Sequence, residues 1–257
     1  MARKMNKRNT KPKVSFEKKV ISVIRSQAET KQKTMSVFNN TNIYGNGLNG
    51  GNTNGGAQMN NILEGLALTN GDTQDTRNGN SISNCSLSLR GFVESNGYDT
   101  TTNPDIMPYE CHIVFFKNKA GADEPGATTN FQNFKSLPGN LLGPVDGSIM
   151  NSLYPYNKDL YTIKKVKVIK LKGAPYAAQN SNTQLSAYND GNSVQYKRFR
   201  VNIPIKKVLK YQDNATLPTN DWLSVGCFII IGSGSIYTGT QTKAAISMDA
   251  TLRFDDF

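Results

Sequence analysis

The strongest constraint on the fold of this chain is a period of two in its apolar residues, repeated in several separate segments. Apolar and polar side chains alternate at 83–90, 198–205 and 246–254. A period of two places one set of side chains on the buried face of a β-strand and the other set on the opposite face. The sequence therefore predicts an all-β protein in which sheets cover a common core.

Three further segments are strand-like without a clean alternation. Tyr109–Lys117 and Leu223–Ile231 are apolar at nearly every position, which is typical of strands buried on both faces. Tyr161–Lys172 alternates, but its phase slips at Lys164–Lys165, which indicates either a β-bulge or a tight turn between two strands. Pro204 has no backbone N–H, so it fits only an edge strand or the end of a strand.

Long connections join the predicted strands, at about 95–108, 120–159, 173–193, 212–221 and 233–243. Loops of this length are uncommon in a compact domain unless they have a function. A two-sheet jelly roll of eight antiparallel strands has long end loops, and these can form contacts between subunits. We therefore predict a single jelly-roll β-sandwich. Its inter-sheet core should include Ile246, Met248, Leu252 and Phe254, whereas residues 255–257 should matter little for folding.

Charge is distributed very unevenly along the chain. The first 33 residues contain eleven Lys or Arg and two Glu, a net charge of +9, whereas the whole chain carries +11. A nearly neutral body with one cationic arm suggests that the arm binds a polyanion, the alternative being a solubilising or localising tail. We divide the chain into an arm at 1–34 and a jelly-roll domain at 35–257. The candidate nucleic-acid-binding residues of the arm are Arg3, Lys4, Lys7, Arg8, Lys11, Lys13, Lys18, Lys19 and Arg25.

The arm has two parts. Residues 1–14 are polar and basic, and we expect them to be disordered in isolation. From Ser15 to about Lys33, the side chains of Phe16, Val20 and Val23 fall on one helical face, and Ser15 is a suitable N-cap. This pattern predicts a short basic amphipathic helix that is only marginally stable alone.

A second group of cations lies in the predicted strands. Lys164, Lys165 and Lys167 are close together in one strand, and Arg198 and Arg200 lie in another. These side chains would contact phosphates if both strands face the polyanion that the arm binds. The alternative is an ordinary solvated strand face, and the sequence favours neither.

Catalytic chemistry is poorly supported. His112, the only histidine, lies within an apolar strand, and its neighbour Cys111 must point to the opposite face, so the two cannot form a catalytic pair. There is no Cys-x-x-Cys motif and no histidine cluster for zinc. Loop carboxylates such as Asp123 and Glu124 could hold Ca²⁺, with solvated loop charge as the alternative. We expect no enzyme activity, no cofactor and no metal.

Membrane insertion and secretion are also not expected. No apolar run approaches the roughly 20 residues that span a bilayer, and the N-terminus lacks the apolar segment of a secretory signal. We expect the protein to fold in a reducing compartment. Its three cysteines, Cys85, Cys111 and Cys227, should therefore be buried thiols without disulfides.

Short motifs follow one another in a recognisable order over nearly the whole chain. After the basic arm come Glu29-Thr30-Lys31, then Arg77-Asn78-Gly79-Asn80-Ser81-Ile82, a strand ending at Gly91, and Phe199–Ile203 running to Tyr211. In this order and spacing the sequence resembles the capsid proteins of small circular single-stranded DNA viruses that encode a replication initiator, the circovirus-like group. The arm departs from that group in being shorter and richer in Lys than in Arg. Small RNA-virus capsids with a related jelly roll are the alternative.

The resemblance implies a coat protein that self-assembles, in about sixty copies, into a closed icosahedral shell whose arms face a packaged single-stranded genome. Its partners would be the chain itself, the genome, as DNA rather than RNA, and a host receptor. It would be located in the virion, and in the host nucleus during assembly, for which the early basic clusters resemble an import signal. The alternative from another class is a cellular β-sandwich with a basic tail that binds single-stranded nucleic acid or carbohydrate.

Overall fold

The structure is a computed structural model. It describes residues 16, 20, 23, 29–44, 58–59, 61–95, 108–119, 134–138, 141–143, 145, 147, 149–171, 196–219, 223–231 and 242–256.

The described residues form eleven β-strands and two short helices. The strands are β1 (Glu29–Tyr44), β2 (Gln58–Met59), β3 (Ser81–Ser95), β4 (Tyr109–Asn118), β5 (Lys135–Leu137), β6 (Leu141–Gly143), β7 (Tyr161–Leu171), β8 (Tyr196–Ile203), β9 (Leu209–Lys210), β10 (Ser224–Ile231) and β11 (Thr242–Asp256). The helices are α1 (Ile62–Gly65) and α2 (Met150–Leu153).

Eight of these strands form two antiparallel sheets. We call the sheet with the order β1-β11-β3-β8 sheet A, and the sheet with the order β2-β10-β4-β7 sheet B. Strand β9 pairs with the start of β3, and β5 and β6 form a separate hairpin. Successive strands of the sandwich alternate between the two sheets, except for the neighbours β4 and β7. This connectivity is that of a jelly roll, and it confirms the predicted fold class.

The main core lies between the two sheets. Its largest contribution comes from the inward faces of β3, β11, β4 and β10, and it includes Leu89, Phe115 and Ile229, each without exposed surface. Ile246, Met248, Leu252 and Phe254 also lie in this core, as the alternation predicts. The predicted buried thiols are confirmed too, since all three cysteines are free and buried.

A second core lies on the far face of sheet B. Val114, Phe116, Phe228 and Ile230 point away from the main core and pack against Phe134 and other residues of the connection between β4 and β7. Phe134 lies edge-on to Phe116, with ring centroids 5.2 Å apart. Burial on both faces explains why β4 and β10 are apolar without alternation.

Two local features of the strands follow from the sequence. In the pairing of β4 with β7, Phe115 is opposite Lys165 and Phe116 is opposite Ile163, so Lys164 is the extra residue of a β-bulge rather than part of a turn. Strand β8 ends at Ile203, directly before Pro204.

Three expectations from the sequence are corrected. The predicted helix cannot extend to Lys33, because β1 begins at Glu29 and pairs with β11 along its length. The connection at 120–159 is not a plain loop, because it contains β5, β6 and α2. The end of the last strand is not peripheral, because residues 255 and 256 belong to β11 and Asp256 is only 3% exposed.

Candidate nucleic-acid interface

The arm contributes few described residues. The predicted binding residues Arg3, Lys4, Lys7, Arg8, Lys11, Lys13, Lys18, Lys19 and Arg25 lie outside the described residues. Phe16, Val20 and Val23 are helical, as predicted, and their exposed fractions are 80%, 37% and 56%. Residues 1–28, before β1, contain nine Lys or Arg and one Glu, which leaves a net charge of +8 on the part of the arm that precedes the sheet.

Two cations that the sequence assigned to the arm belong to the folded body. Lys31 is 1% exposed, and its Nζ lies 2.9 Å from the Oδ2 of Asp256 at the end of β11. Lys33 forms a more exposed ion pair with Asp75, also at 2.9 Å. A buried charge needs such a partner because desolvation is costly. Lys31 therefore fixes β1 to β11 and is not available to a ligand.

The second short motif contacts the first through Asn78 and Lys31, and its Arg77 is buried whereas Asn78 and Asn80 are exposed. Arg77 has no exposed surface, its guanidinium lies 4.4 Å from the ring centroid of Tyr211, and its Nη2 donates to the carbonyl of Ala215 at 2.6 Å. The backbone N–H of Asn78 donates to Asp256, the partner of Lys31. Asp256 of β11 thus joins the two motifs, through its buried ion pair with Lys31 and its part-buried hydrogen bond from Asn78.

Lys164, Lys165 and Lys167 lie on β7, the edge strand of sheet B, and we call this group, together with Lys117 and Lys206, the edge cluster. Lys165 is exposed, and Lys164 and Lys167 are half-buried. Burial lowers the pKa of Lys117 to about 8, and repulsion by Lys164 and Lys206 adds to this effect. Repulsion between like charges at this edge favours the binding of an anion.

The two groups of strand cations do not share one face. Lys164, Lys165 and Lys167 belong to sheet B, whereas Arg198 and Arg200 belong to β8 in sheet A. The strands are neighbours only at the edges of the sandwich, where Lys197 of β8 donates to the carbonyl of Lys170 in β7. The two groups therefore lie in different sheets, and the contact of either group with phosphate stays a prediction.

Sheet A instead has its own cationic surface, on the face that points away from the core. A groove of about 700 Å³ runs over this face. We call it the arginine groove, because Arg90, Arg200 and Arg253 line it together with Lys207, and because none of the described residues that line it is acidic or aromatic. Its remaining polar lining comes from Gln32, Thr34, Ser86, Ser88, Asn202 and Thr251.

The register of the sheet concentrates the positive charge. Arg90 on β3 is directly opposite Arg200 on β8, which places their Cβ atoms about 4.5–5.5 Å apart. On its other side Arg90 is opposite Asp249 of β11, yet among the described residues none of the three arginines forms an ion pair or side-chain hydrogen bond. The sequence interpretation included Arg200 but not Arg90 or Arg253. The sequence signal for Arg90 and Arg253 was their place among the polar residues of two strands in which apolar and polar residues alternate.

His112 is a packed residue of sheet B. Its ring stacks on Phe228 with centroids 5.1 Å apart, and its Nε2 lies 3.2 Å from the carboxylate of Glu110. Burial lowers the pKa of His112. Cys111 points into the main core on the opposite face, and burial raises the pKa of its thiol to about 12. The two side chains therefore do not meet, as the strand geometry predicts.

The described part of the chain has neither a cluster of metal-ligating residues nor a membrane-spanning helix. Among those residues, no group of three or more His, Cys, Asp or Glu is placed to hold a metal ion. No helix in the same set is long and apolar enough to cross a membrane.

Comparisons with known proteins show only slight similarity. No protein-family model and no curated protein matches the sequence. Among solved structures, the chain is similar to VP1 of Trichodysplasia spinulosa-associated polyomavirus in complex with GM1 oligosaccharide, with 12% identity, a TM-score of 0.27, and coverage of 88% of this chain and 93% of that chain. Merkel cell polyomavirus VP1 in complex with GD1a oligosaccharide matches at 9% identity and a TM-score of 0.22, over 88% of this chain and 94% of that chain. The assignment of the jelly roll rests on the strand order of this chain itself.

Proposed function

We propose that the protein is a viral coat protein that self-assembles into a small icosahedral shell and packages a single-stranded nucleic acid. The observation that carries the proposal is a jelly roll whose edge strand β1 is preceded by a segment with a net charge of +8. Jelly rolls of this kind occur in viral capsid proteins, and also in lectins and cupins. The cationic arm favours the first class. The motif order described above favours the circovirus-like group and a DNA genome.

Self-assembly requires apolar surface that the subunit leaves uncovered. Around α2, the side chains of Ile149, Met150 and Leu153 are 45%, 45% and 72% exposed. They belong to the connection that covers the far face of sheet B, and Val168 of β7 is also exposed. Clustered exposed apolar side chains of this kind are typical of protein–protein contacts. We propose this surface as one contact between subunits.

The proposed binding mechanism is electrostatic and independent of base sequence. Lys and Arg side chains of the arm neutralise phosphates and release their counterions, which makes the affinity depend steeply on salt. The edge cluster supplies further positive charge on the folded body. We place the boundary between arm and jelly roll at residue 28 rather than residue 34, because β1 starts at Glu29.

The proposal is tested by expressing the full chain and the variant without residues 2–28. Electron microscopy of the full-length protein should show uniform spherical particles that contain nucleic acid. The truncated variant should fold and assemble but carry much less nucleic acid, as measured by the ratio of absorbance at 260 and 280 nm. A stable monomer of the full-length chain would instead favour the cellular nucleic-acid- or carbohydrate-binding alternative, and equal nucleic-acid content in both variants would contradict the role of the arm.

Two further measurements address the genome and the location. Sequencing the nucleic acid extracted from purified particles distinguishes DNA from RNA. Residues 1–28 can be fused to a fluorescent reporter that is too large to diffuse through nuclear pores. Nuclear accumulation is expected if the early basic clusters act as an import signal. A reporter that stays in the cytoplasm would limit the arm to binding the genome.

A further inference from the structure

We infer that the arginine groove is a second binding site for the phosphate backbone of the packaged strand, and that the exposed face of sheet A therefore faces the interior of the shell. This inference rests on the proposed function. It concerns residues of the folded body, which are distinct from the arm and from the edge cluster.

The chemistry of the lining selects a polyanion. Four cations and no acid line the groove, and among the described residues its three arginines have no ionic partner on the protein. Like charges directly opposite each other in a sheet are destabilising, so the pair Arg90–Arg200 weakens the isolated subunit. A phosphate between the two guanidinium groups would remove that repulsion, and Arg binds phosphate through two parallel hydrogen bonds.

The rest of the lining indicates contact with the backbone rather than the bases. Among the described residues, no aromatic side chain lines the groove itself, so contacts inside it are made by charged and polar groups rather than by base stacking. Hydroxyl and amide groups, such as those of Ser88, Asn202 and Thr251, can donate hydrogen bonds to phosphate and sugar oxygens. These contacts carry no base-sequence information, which matches the proposed nonspecific mechanism.

The position of the arm places the groove on the genome side. Gln32 and Thr34 of β1 line the groove, and the arm joins β1 at Glu29, only three residues before Gln32. At about 3.3 Å per residue, the arm therefore starts about 10 Å from the groove lining. An arm that binds a strand inside the shell would bring that strand to this face of sheet A.

The first test compares two variants that lose the same charge in the full-length chain. The groove variant carries Arg90→Gln and Arg200→Gln. The control carries Lys119→Gln and Lys158→Gln, two exposed lysines next to the connection that covers sheet B. Binding of fluorescently labelled oligothymidylate is measured by anisotropy over a range of salt concentrations. For two lost phosphate contacts to a single strand, the slope of log K against log salt should decrease in magnitude by about 1.4. The control should keep the wild-type slope.

Stability serves as an independent readout of the same variants. Because Arg90→Gln removes both a like-charge neighbour, Arg200, and an opposite-charge neighbour, Asp249, the unfolding midpoint of the groove variant should stay close to that of the wild type. A groove variant whose salt slope matches the control would overturn the groove assignment while leaving particles and arm-dependent packaging intact. If the unmodified full chain neither assembled nor bound oligothymidylate, the proposed function itself would fail. Loss of heparin binding with unchanged oligothymidylate binding would identify an outward-facing polysaccharide site instead.

The orientation of the groove is tested by labelling an introduced thiol. The native cysteines are buried, so a cysteine on the surface is the expected reactive site. Asn202→Cys places it in the groove, and Lys158→Cys places it on the other side of the sandwich. A maleimide attached to a large polyethylene glycol should label both variants as dissociated subunits but only Lys158→Cys in intact particles. Labelling of Asn202→Cys in intact particles would overturn the proposed orientation.

Discussion

The two sheets of this jelly roll are both antiparallel, but they differ in the face that points away from the main core. The central strands β4 and β10 of sheet B are apolar on both faces, and residues of the 134–160 region cover the face that points away from sheet A. Sheet A is apolar only toward the main core, and its other face carries the arginine groove, which no segment of the described residues covers. Phe116 of sheet B is 1% exposed, whereas Phe92 on the far face of sheet A is 37% exposed.

Because of this difference, we expect the covered face of sheet B to contribute mainly to stability and the far face of sheet A mainly to ligand binding. Residues on the covered face of sheet B contribute mainly by removing apolar surface from water. Arg90, Arg200 and Arg253 on the far face of sheet A are exposed, and none of them has an ion-pair partner among the described residues. Substitutions should therefore affect stability strongly on the first face and weakly on the second.

The largest predicted effect comes from the same substitution on the two faces. Phe116→Ala should lower the free energy of unfolding by about 3–5 kcal/mol, because its ring is buried between Phe134 and Tyr161. Phe92→Ala is the matched control and should cost about 1 kcal/mol or less. Chemical denaturation monitored by circular dichroism measures both values. Equal losses would show that the two faces do not differ in burial as described.

The buried pair Lys31–Asp256 should have the next largest effect. Asp256→Ala leaves the ammonium of Lys31 buried without its carboxylate, so the free energy of unfolding should fall by at least about 3 kcal/mol. Replacing both residues, Lys31→Met with Asp256→Leu, should recover most of the loss, because no charge is then buried. A double variant as unstable as Asp256→Ala would mean that packing or the Asn78 hydrogen bond, rather than the ion pair, accounts for the effect.

Gly91 tests how closely β3 and β11 approach. A Cβ atom at this position would meet the backbone carbonyl oxygen of Ser247 and lie 2.9 Å from the Cα of Met248. Because neither backbone can move cheaply, Gly91→Ala should cost about 1–3 kcal/mol. Ser88→Ala, on the same strand but in the groove, should change stability by no more than about 0.5 kcal/mol. An unchanged unfolding midpoint for Gly91→Ala would show that the strands can separate to admit a methyl group.

Most of the fold could be predicted from the sequence, because burial of one face of a strand produces an alternation of apolar and polar residues within that strand. Phe199, Val201 and Ile203 are buried and alternate with exposed Arg200 and Asn202, as the period of two predicts. The bulge at Lys164 was visible as a slip of phase. Strand β1 was missed because its N-terminal half is polar and its cations were assigned to the arm.

The candidate site was harder to predict from the sequence, because it depends on which residues of neighbouring strands lie opposite each other. The alternation places Arg90 and Arg200 on polar faces, but only the pairing of β3 with β8 sets one opposite the other. The burial of Lys31 and Arg77 was not predicted from the sequence. Their partners, Asp256 and Ala215, are distant in sequence, so nothing local indicates that these cations are buried.

The smallest predicted effect concerns pH at the edge of the sandwich, where the two sheets meet. The pKa of Lys117 is lowered from 10.5 to about 8, first by burial and then by Lys164 and Lys206. In the unfolded chain this lysine binds its proton up to about pH 10.5, so between about pH 8 and 10.5 the unfolded state holds more protons and stability rises with pH. The contribution of neutral Lys117 to the free energy of unfolding is fully present above the unfolded-state pKa of 10.5, and it is lost as the pH falls through about 8.

The variant Lys164→Gln measures how much the repulsion between Lys164 and Lys117 contributes to the lowered pKa of Lys117. Removing one neighbouring charge should raise the pKa of Lys117 toward its ordinary value and so reduce the gain in unfolding midpoint between about pH 8 and 10. Lys119→Gln removes a lysine that is not among the causes of the lowered pKa, and it should keep the wild-type pH dependence. Because Lys117 is only partly buried, the difference between the two variants should be small and should shrink further at high salt. Identical pH profiles for both variants at low salt would show that burial alone, without repulsion from the edge cluster, lowers the pKa of Lys117.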